Sequence, residues 1–179
     1  MAMPVTLRRF TLDELDAFRA DGNRYELVGG LLLVTPLPGP AHQTVVSRLM
    51  GILLSVFQDD PWTAVWSPGA IRIPPELQLE PDILVGRMPR VLERWEDVVE
   101  HWLAIEVSGA PSRVYDRDYT QDAYLEVGVR EVWRVDLDSR SISISRQGEE
   151  LRELRGEVSW RSPTGRELRV GVEALFRGR

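Results

Sequence analysis

Leu103-Ala104-Ile105-Glu106-Val107 decides how the rest of the chain is read. The run is short, almost wholly apolar and rich in β-branched side chains, which suits a strand covered on both faces better than a helix. Such a strand belongs in the middle of a sheet. One residue breaks the pattern. A buried ionised carboxylate without compensation costs several kcal/mol, so Glu106 calls for a counter-charge, a proton or a cation.

Downstream, Tyr115 to Val127 reads as a helix stopped by Gly128, and Glu131-Val132-Trp133-Arg134-Val135-Asp136 is again strand-like. A helix between two strand runs predicts a right-handed crossover. Beyond Asp138, the runs SISIS, LRELR, EVSWR and ELRVG alternate between turn residues and predict an antiparallel meander, closed by a short helix near Val172 to Phe176. Upstream, residues 88 to 100 read as helical or irregular, and the runs TAVWS, AIRIP and PDILV are β-like, with prolines that favour edge or terminal positions. From His42, the spacing of Val45, Val46, Leu49, Ile52, Leu53 and Val56 predicts a helix with one buried face. RYELV and LLLVT, separated by Gly29-Gly30, predict a tight hairpin. Thr11 to Ala20 opens with a capping box, Thr11 and Glu14, before a short helix. The alternation of strands and helices gives an α/β class.

The chain has 179 residues, 43% hydrophobic and 28% charged, which suits a packed fold. No linker or repeat divides it, so residues 1–179 are expected to form a single domain. Without cysteine, disulfides, thiolate metal sites and cysteine nucleophiles are excluded, and any metal must sit on oxygen or imidazole. The N-terminus lacks a secretory pattern and no run is apolar enough to span a bilayer, so no membrane partner and a cytoplasmic location are expected. All 22 basic residues are arginine, which removes lysine from any catalytic role. The net charge of −6 opposes non-specific attraction to nucleic acid, although carboxylates gathered round a divalent ion are partly neutralised by it.

Asp82, in Pro81-Asp82-Ile83-Leu84-Val85, repeats the anomaly of Glu106. Either acid taken alone is best read as paired with one of the many arginines or as facing solvent. Two acids on neighbouring strands favour a shared cation, and a few converging oxygens with waters suit Mg2+ or Mn2+.

RYELVGGLL, GPAHQTVVSRL, EPDILV, LAIEVS and the stretch from Asp116 through Tyr124 to GVREVWRVD occur in an order and spacing that resemble the Uma-two group of restriction endonucleases in the PD-(D/E)XK nuclease superfamily. The resemblance covers nearly the whole chain. It implies a restriction-endonuclease-like core, a mixed β-sheet flanked by helices. It also makes Asp82 the motif aspartate, Glu106 the motif acid on the next core strand, and Glu26 an additional acid from the hairpin. DNA as substrate and a homodimer are further implications. Four features depart from the family pattern: Thr120 replaces the helical lysine, Ser108 stands two residues after Glu106 where the original motif has lysine, Ser108-Gly109-Ala110-Pro111 replaces a Ser-Pro-Ser-Thr-like loop, and Gly29 stands where an acid usually precedes the hairpin glycine.

Without lysine, Gln121 is a candidate for positioning a water, and Arg113 or Arg117 for offsetting phosphate charge, since arginine is too basic to accept a proton. His42 is read as a phosphate or outer-shell contact, with a capping or surface role of equal weight. Asp116 either supports the site or stabilises a helix N-terminus. Tyr124 and Trp133 are assigned to core packing, and Asp136 and Asp138 to a turn. Two functions follow. The first is a divalent-metal-dependent nuclease hydrolysing DNA phosphodiester bonds with Asp82, Glu106 and Glu26 as metal ligands. The alternative is a catalytically dead nuclease fold that binds nucleic acid or a protein partner.

Overall fold

The computed structural model describes residues 8–18, 21–91, 93–109 and 119–178. Helix α1 (Leu12–Asp16) starts at the expected capping box: the Glu14 amide donates to Thr11 Oγ1 and the Thr11 amide donates to the Glu14 carboxylate. It ends earlier than the sequence suggests, and Leu12 and Leu15 bury against Leu27. Strands β1 (Arg24–Val28) and β2 (Leu31–Thr35) pair antiparallel with Val28 opposite Leu31. That register leaves Gly29-Gly30 as the whole loop, with φ of 54° and 79°, the backbone a type I′ turn requires and glycine adopts without strain.

Helix α2 (Pro40–Phe57) begins with proline, whose missing amide hydrogen removes no intrahelical bond in the first turn. It buries Val45, Val46, Leu49, Leu53 and Phe57. Four strands follow: β3 (Thr63–Trp66), β4 (Ile71–Ile73), β5 (Leu77–Leu79) and β6 (Ile83–Arg87). Strand β5 is not among the runs read as β-like, because its three residues are too few to establish a period. A single 3-10 turn, Trp95–Asp97, interrupts the otherwise irregular segment before β7 (His101–Ser108). Helix α3 (Tyr119–Glu126) and strand β8 (Glu131–Asp136) come next, then β9 (Ser141–Ser145), β10 (Arg152–Leu154), β11 (Glu157–Arg161), β12 (Glu167–Gly171) and α4 (Val172–Leu175).

The main sheet has strand order β10-β9-β8-β7-β6-β3, and β7 and β8 are its parallel pair. Its other neighbours are antiparallel, so the sheet is mixed and β7 lies inside it, as the apolar run around Glu106 predicts. A second sheet, β2-β1-β5-β4, is antiparallel throughout. The expected C-terminal meander divides: β9 and β10 extend the main sheet, whereas β11 and β12 form a separate hairpin. Strict alternation in that hairpin explains the split. Only Val158, Trp160, Leu168 and Val170 are buried, so it has one apolar face and lays it on the cluster that holds α2 and α4.

Alternate residues of the main sheet face two cores. Ile83, Val85, Leu103, Ile105, Val107, Trp133 and Val135 point to the side of α2 and the C-terminal hairpin. Leu84, Ala104 and Val132 point to the other side, where Tyr124 of α3 packs with Ile71 and Leu79 of the smaller sheet. Glu106, two residues after Ala104, lies on this second side. Among the described residues no helix is long and apolar enough to cross a membrane.

Two glycines test the packing with opposite signs. Gly86 sits where the β6–β7 register shifts, and a Cβ there would lie 2.5 Å from the Glu100 carbonyl oxygen. Gly86→Ala should destabilise by about 1–3 kcal/mol in urea unfolding. Gly51, exposed within α2 with nothing within 4 Å of an added Cβ, should gain up to about 1 kcal/mol as Gly51→Ala.

Candidate active site

The chain passes from the smaller sheet to the main one through Glu80-Pro81-Asp82, between β5 and β6. At this seam four segments meet: the start of β1, the first turn of α2, the crossing itself and the end of β7. Asp82 stands just before β6, and its side chain is only 7% exposed. Oδ2 accepts from the Val107 amide at 2.8 Å and from His42 Nε2 at 2.8 Å; Oδ1 accepts from Arg24 Nη2 at 3.1 Å. Burial raises the Asp82 carboxyl, but the His42 hydrogen bond, the Arg24 charge and the Val107 amide outweigh it and hold the group below the usual carboxylate range.

Glu106 has the opposite character. Its Oε1 accepts from the Tyr124 hydroxyl at 2.5 Å, and its Oε2 lies 3.7 Å from Arg24 Nη1, too far for a hydrogen bond. Loss of solvation pushes its carboxyl up, and the charges of Asp82 and Glu26 push further. Arg24 and Tyr124 only partly counter this, and the group sits well above its ordinary value. Tyr124, fully buried, is itself raised well above the phenol range by burial and by the Glu106 charge, so it keeps its proton and donates a hydrogen bond.

Arg24 joins the two acids. Its Nη1 also donates to the Glu80 carbonyl, and the charges of Glu106, Asp82 and Glu26 raise its already high basicity despite burial. Glu26, 6% exposed, shares a face of β1 with Arg24 and accepts the Glu80 amide on Oε1 at 2.8 Å. The Glu80 side chain takes a 2.6 Å hydrogen bond from Gln78, and burial raises its carboxyl.

The fold thus brings Glu26, Asp82 and Glu106 to one neighbourhood, but around a guanidinium. Among the described residues no group of three or more His, Cys, Asp or Glu is gathered closely enough to hold a metal ion. His42 is neither a surface nor a capping residue: it is buried on Asp82, and its Nδ1 has no partner among the described residues. Arg113, Asp116 and Arg117 lie outside the described residues, as does the side chain of Gln121 on α3. Asp136 caps the turn after β8 by accepting the amides of Asp138 and Ser139. Trp133 is fully buried, in keeping with its assigned packing role.

Sequence reasoning missed Arg24 and the Tyr124 hydroxyl. The first carried a usable signal, because a residue two before Glu26 in a strand shares its face. The second did not, because a tyrosine that packs and a tyrosine that also donates to a carboxylate have the same pattern.

The two acids should give opposite pH signatures in the metal-free protein. A carboxyl raised on folding adds stability below its unfolded value, near 4.5 for Glu106, and loses it as pH climbs through the folded value. Glu106→Gln should therefore raise Tm by an amount that grows from about pH 4.5 upward. Asp82 is lowered from 3.8, so its stabilisation is present above that value. Asp82→Asn should lower Tm at neutral pH, with a penalty that shrinks as pH falls below about 4. Thermal unfolding across that range checks both, and a Glu106→Gln effect flat in pH would refute the raised carboxyl.

The crystal structure of a "putative nuclease belonging to DUF820" from Anabaena variabilis superposes with TM-score 0.74 at 18% identity, covering 93% of this chain and 97% of that one. At that identity the likeness speaks for the fold alone. No curated protein matches the chain. The model of the Uma2 family, described as "Putative restriction endonuclease", matches residues 11–173, and the chain belongs to that family.

Proposed function

We propose that the chain is a divalent-metal-dependent nuclease that hydrolyses DNA phosphodiester bonds at the seam between its two sheets. The observation that carries this reading is the pairing of Asp82 and Glu106 on one guanidinium in a pocket of surplus negative charge. Three carboxylates face one arginine, and Glu106 stays raised well above its ordinary value even with Arg24 beside it. Hard oxygen donors with unbalanced charge suit Mg2+ or Mn2+, which bind through one or two carboxylates and keep several waters. Asp82 and Glu106 would hold the ion. Glu26, engaged with the Glu80 amide, would act through charge or an intervening water. When bound, such an ion polarises a phosphate oxygen and makes a coordinated water more acidic.

The chain's own groups prepare that site. His42, Arg24 and the Val107 amide keep Asp82 ionised and fixed in direction. Tyr124 binds Glu106 Oε1 and leaves Oε2 on the side of Arg24. Gln121 precedes Tyr124 by three residues on α3, a spacing that shares one helical face, and is the proposed water-positioning group. Arg113 and Arg117 are proposed to meet the phosphate, with Asp116 in support. A homodimer acting across duplex DNA completes the reading, and light scattering at micromolar concentration should return twice the chain mass.

The second reading, a non-catalytic module binding nucleic acid or a protein partner, draws on one feature: with every basic residue an arginine, the lysine expected near the acids is missing. Nicking of supercoiled plasmid separates the two. The nuclease reading expects nicking with Mg2+ or Mn2+, none with chelator, and a loss of about 100-fold or more in Asp82→Ala and Glu106→Gln while circular dichroism stays unchanged. Binding of DNA without turnover in any metal would give the second reading the site.

A further inference from the structure

In that reading Arg24 serves to keep Asp82 ionised, yet its position bears on the cation as well. Its guanidinium stands between the two carboxylates assigned to the cation, 3.1 Å from Asp82 Oδ1 and 3.7 Å from Glu106 Oε2. It cannot leave by losing its proton, because arginine stays charged in any protein environment and the surrounding acids strengthen that tendency. A divalent ion on the same two oxygens would meet this positive charge at contact distance. Both cannot occupy the place.

Resting on the reading that Asp82 and Glu106 take a divalent cation, we propose that Arg24 is the protein's own competing cation, filling the position between them until a divalent ion displaces it. The guanidinium is held unevenly. It makes hydrogen bonds to Asp82 and the Glu80 carbonyl but only a long ion pair to Glu106, so its hold is weakest on the Glu106 side. Its side chain keeps 19% exposure, which leaves it a way toward solvent. The exchange also selects by charge. A monovalent ion replacing Arg24 restores the same single charge and forfeits the hydrogen bonds, whereas a divalent ion adds a unit of charge against Glu26, Asp82 and Glu106 together. The pocket is therefore neutralised enough to fold without metal, at the expense of metal affinity.

Calorimetric titration of Mn2+ into the metal-free wild type, Arg24→Gln and Arg24→Lys tests this. The wild type should bind saturably, and Arg24→Gln should bind about tenfold tighter or more. Arg24→Lys, which keeps the charge but lacks the planar fork, should fall between them. Metal-free Arg24→Gln should melt several degrees below the wild type and recover with Mn2+. A purely structural arginine predicts the reverse, since its loss would disorder the carboxylates and weaken the metal. Equal or weaker Mn2+ binding by folded Arg24→Gln, with wild-type binding intact, overturns the competition and leaves the cation reading standing. If Arg24→Gln does not fold, equal or weaker binding by Arg24→Lys overturns it likewise. Absence of saturable binding in all three, with folds intact, overturns both.

Discussion

A single guanidinium allows two acids to stand side by side inside an apolar fold. Asp82, just before β6, and Glu106, on the neighbouring strand β7, both face the region where the smaller sheet packs against the main one. Without a counter-charge, the remaining hydrogen bonds would offset only part of the penalty of each buried carboxylate, and stripping one partner from such a pair costs about 3–5 kcal/mol. Arg24 reaches both from the first position of β1, and its third contact, to the Glu80 carbonyl, ties it to the crossing between sheets. The interaction therefore joins the smaller sheet to the main one at the point where the chain passes between them. Glu26 reinforces the same seam by capping the Glu80 amide.

The seam separates the two acids chemically. Asp82 is enclosed by donors on both oxygens, which favour its ionised form and fix its orientation. Glu106 receives one hydrogen bond from Tyr124 and a distant charge from Arg24, while its acidic neighbours oppose its ionisation. One group is committed to being an anion, and the other responds to whatever positive charge comes near. Paired carboxyls with environments that push them apart are a common arrangement at functional sites, although ion-pair networks can produce it too.

Much of the fold was legible because its signals are local. The capping box at Thr11 and Glu14, the Gly29-Gly30 turn, the apolar stripe of α2 and the two-sided burial of β7 each follow from a few neighbouring residues. What escaped depends on distant pairing. Leu77–Leu79 becomes a strand only because β1 and β4 lie on either side of it, and nothing within three residues announces that. The C-terminal hairpin reads like the strands before it, yet its one-sided pattern sends it to cover α2. The site was half legible for the same reason. Acids out of place in apolar runs are conspicuous, but the arginine that answers them is one of 22 and is singled out only by where β1 sits.

The all-arginine composition narrows the chemistry in a way that the missing lysine alone does not convey. Every guanidinium here keeps its proton, so no arginine of the chain can alternate between charged and neutral forms near neutral pH. Burial and the Glu106 charge favour the protonated form of Tyr124, and the donors around Asp82 favour its ionised form. Arg24 can therefore change place but not charge, and Glu106 can change charge while Tyr124 and β7 hold its place. On the proposed reading a cation engages both when it enters: the arginine moves out, and the added positive charge favours the ionised form of Glu106, whose carboxyl is raised by burial. Both oppose binding at low pH or low metal concentration. A site so arranged keeps its arginine until metal is plentiful, which suits an activity that has to be withheld.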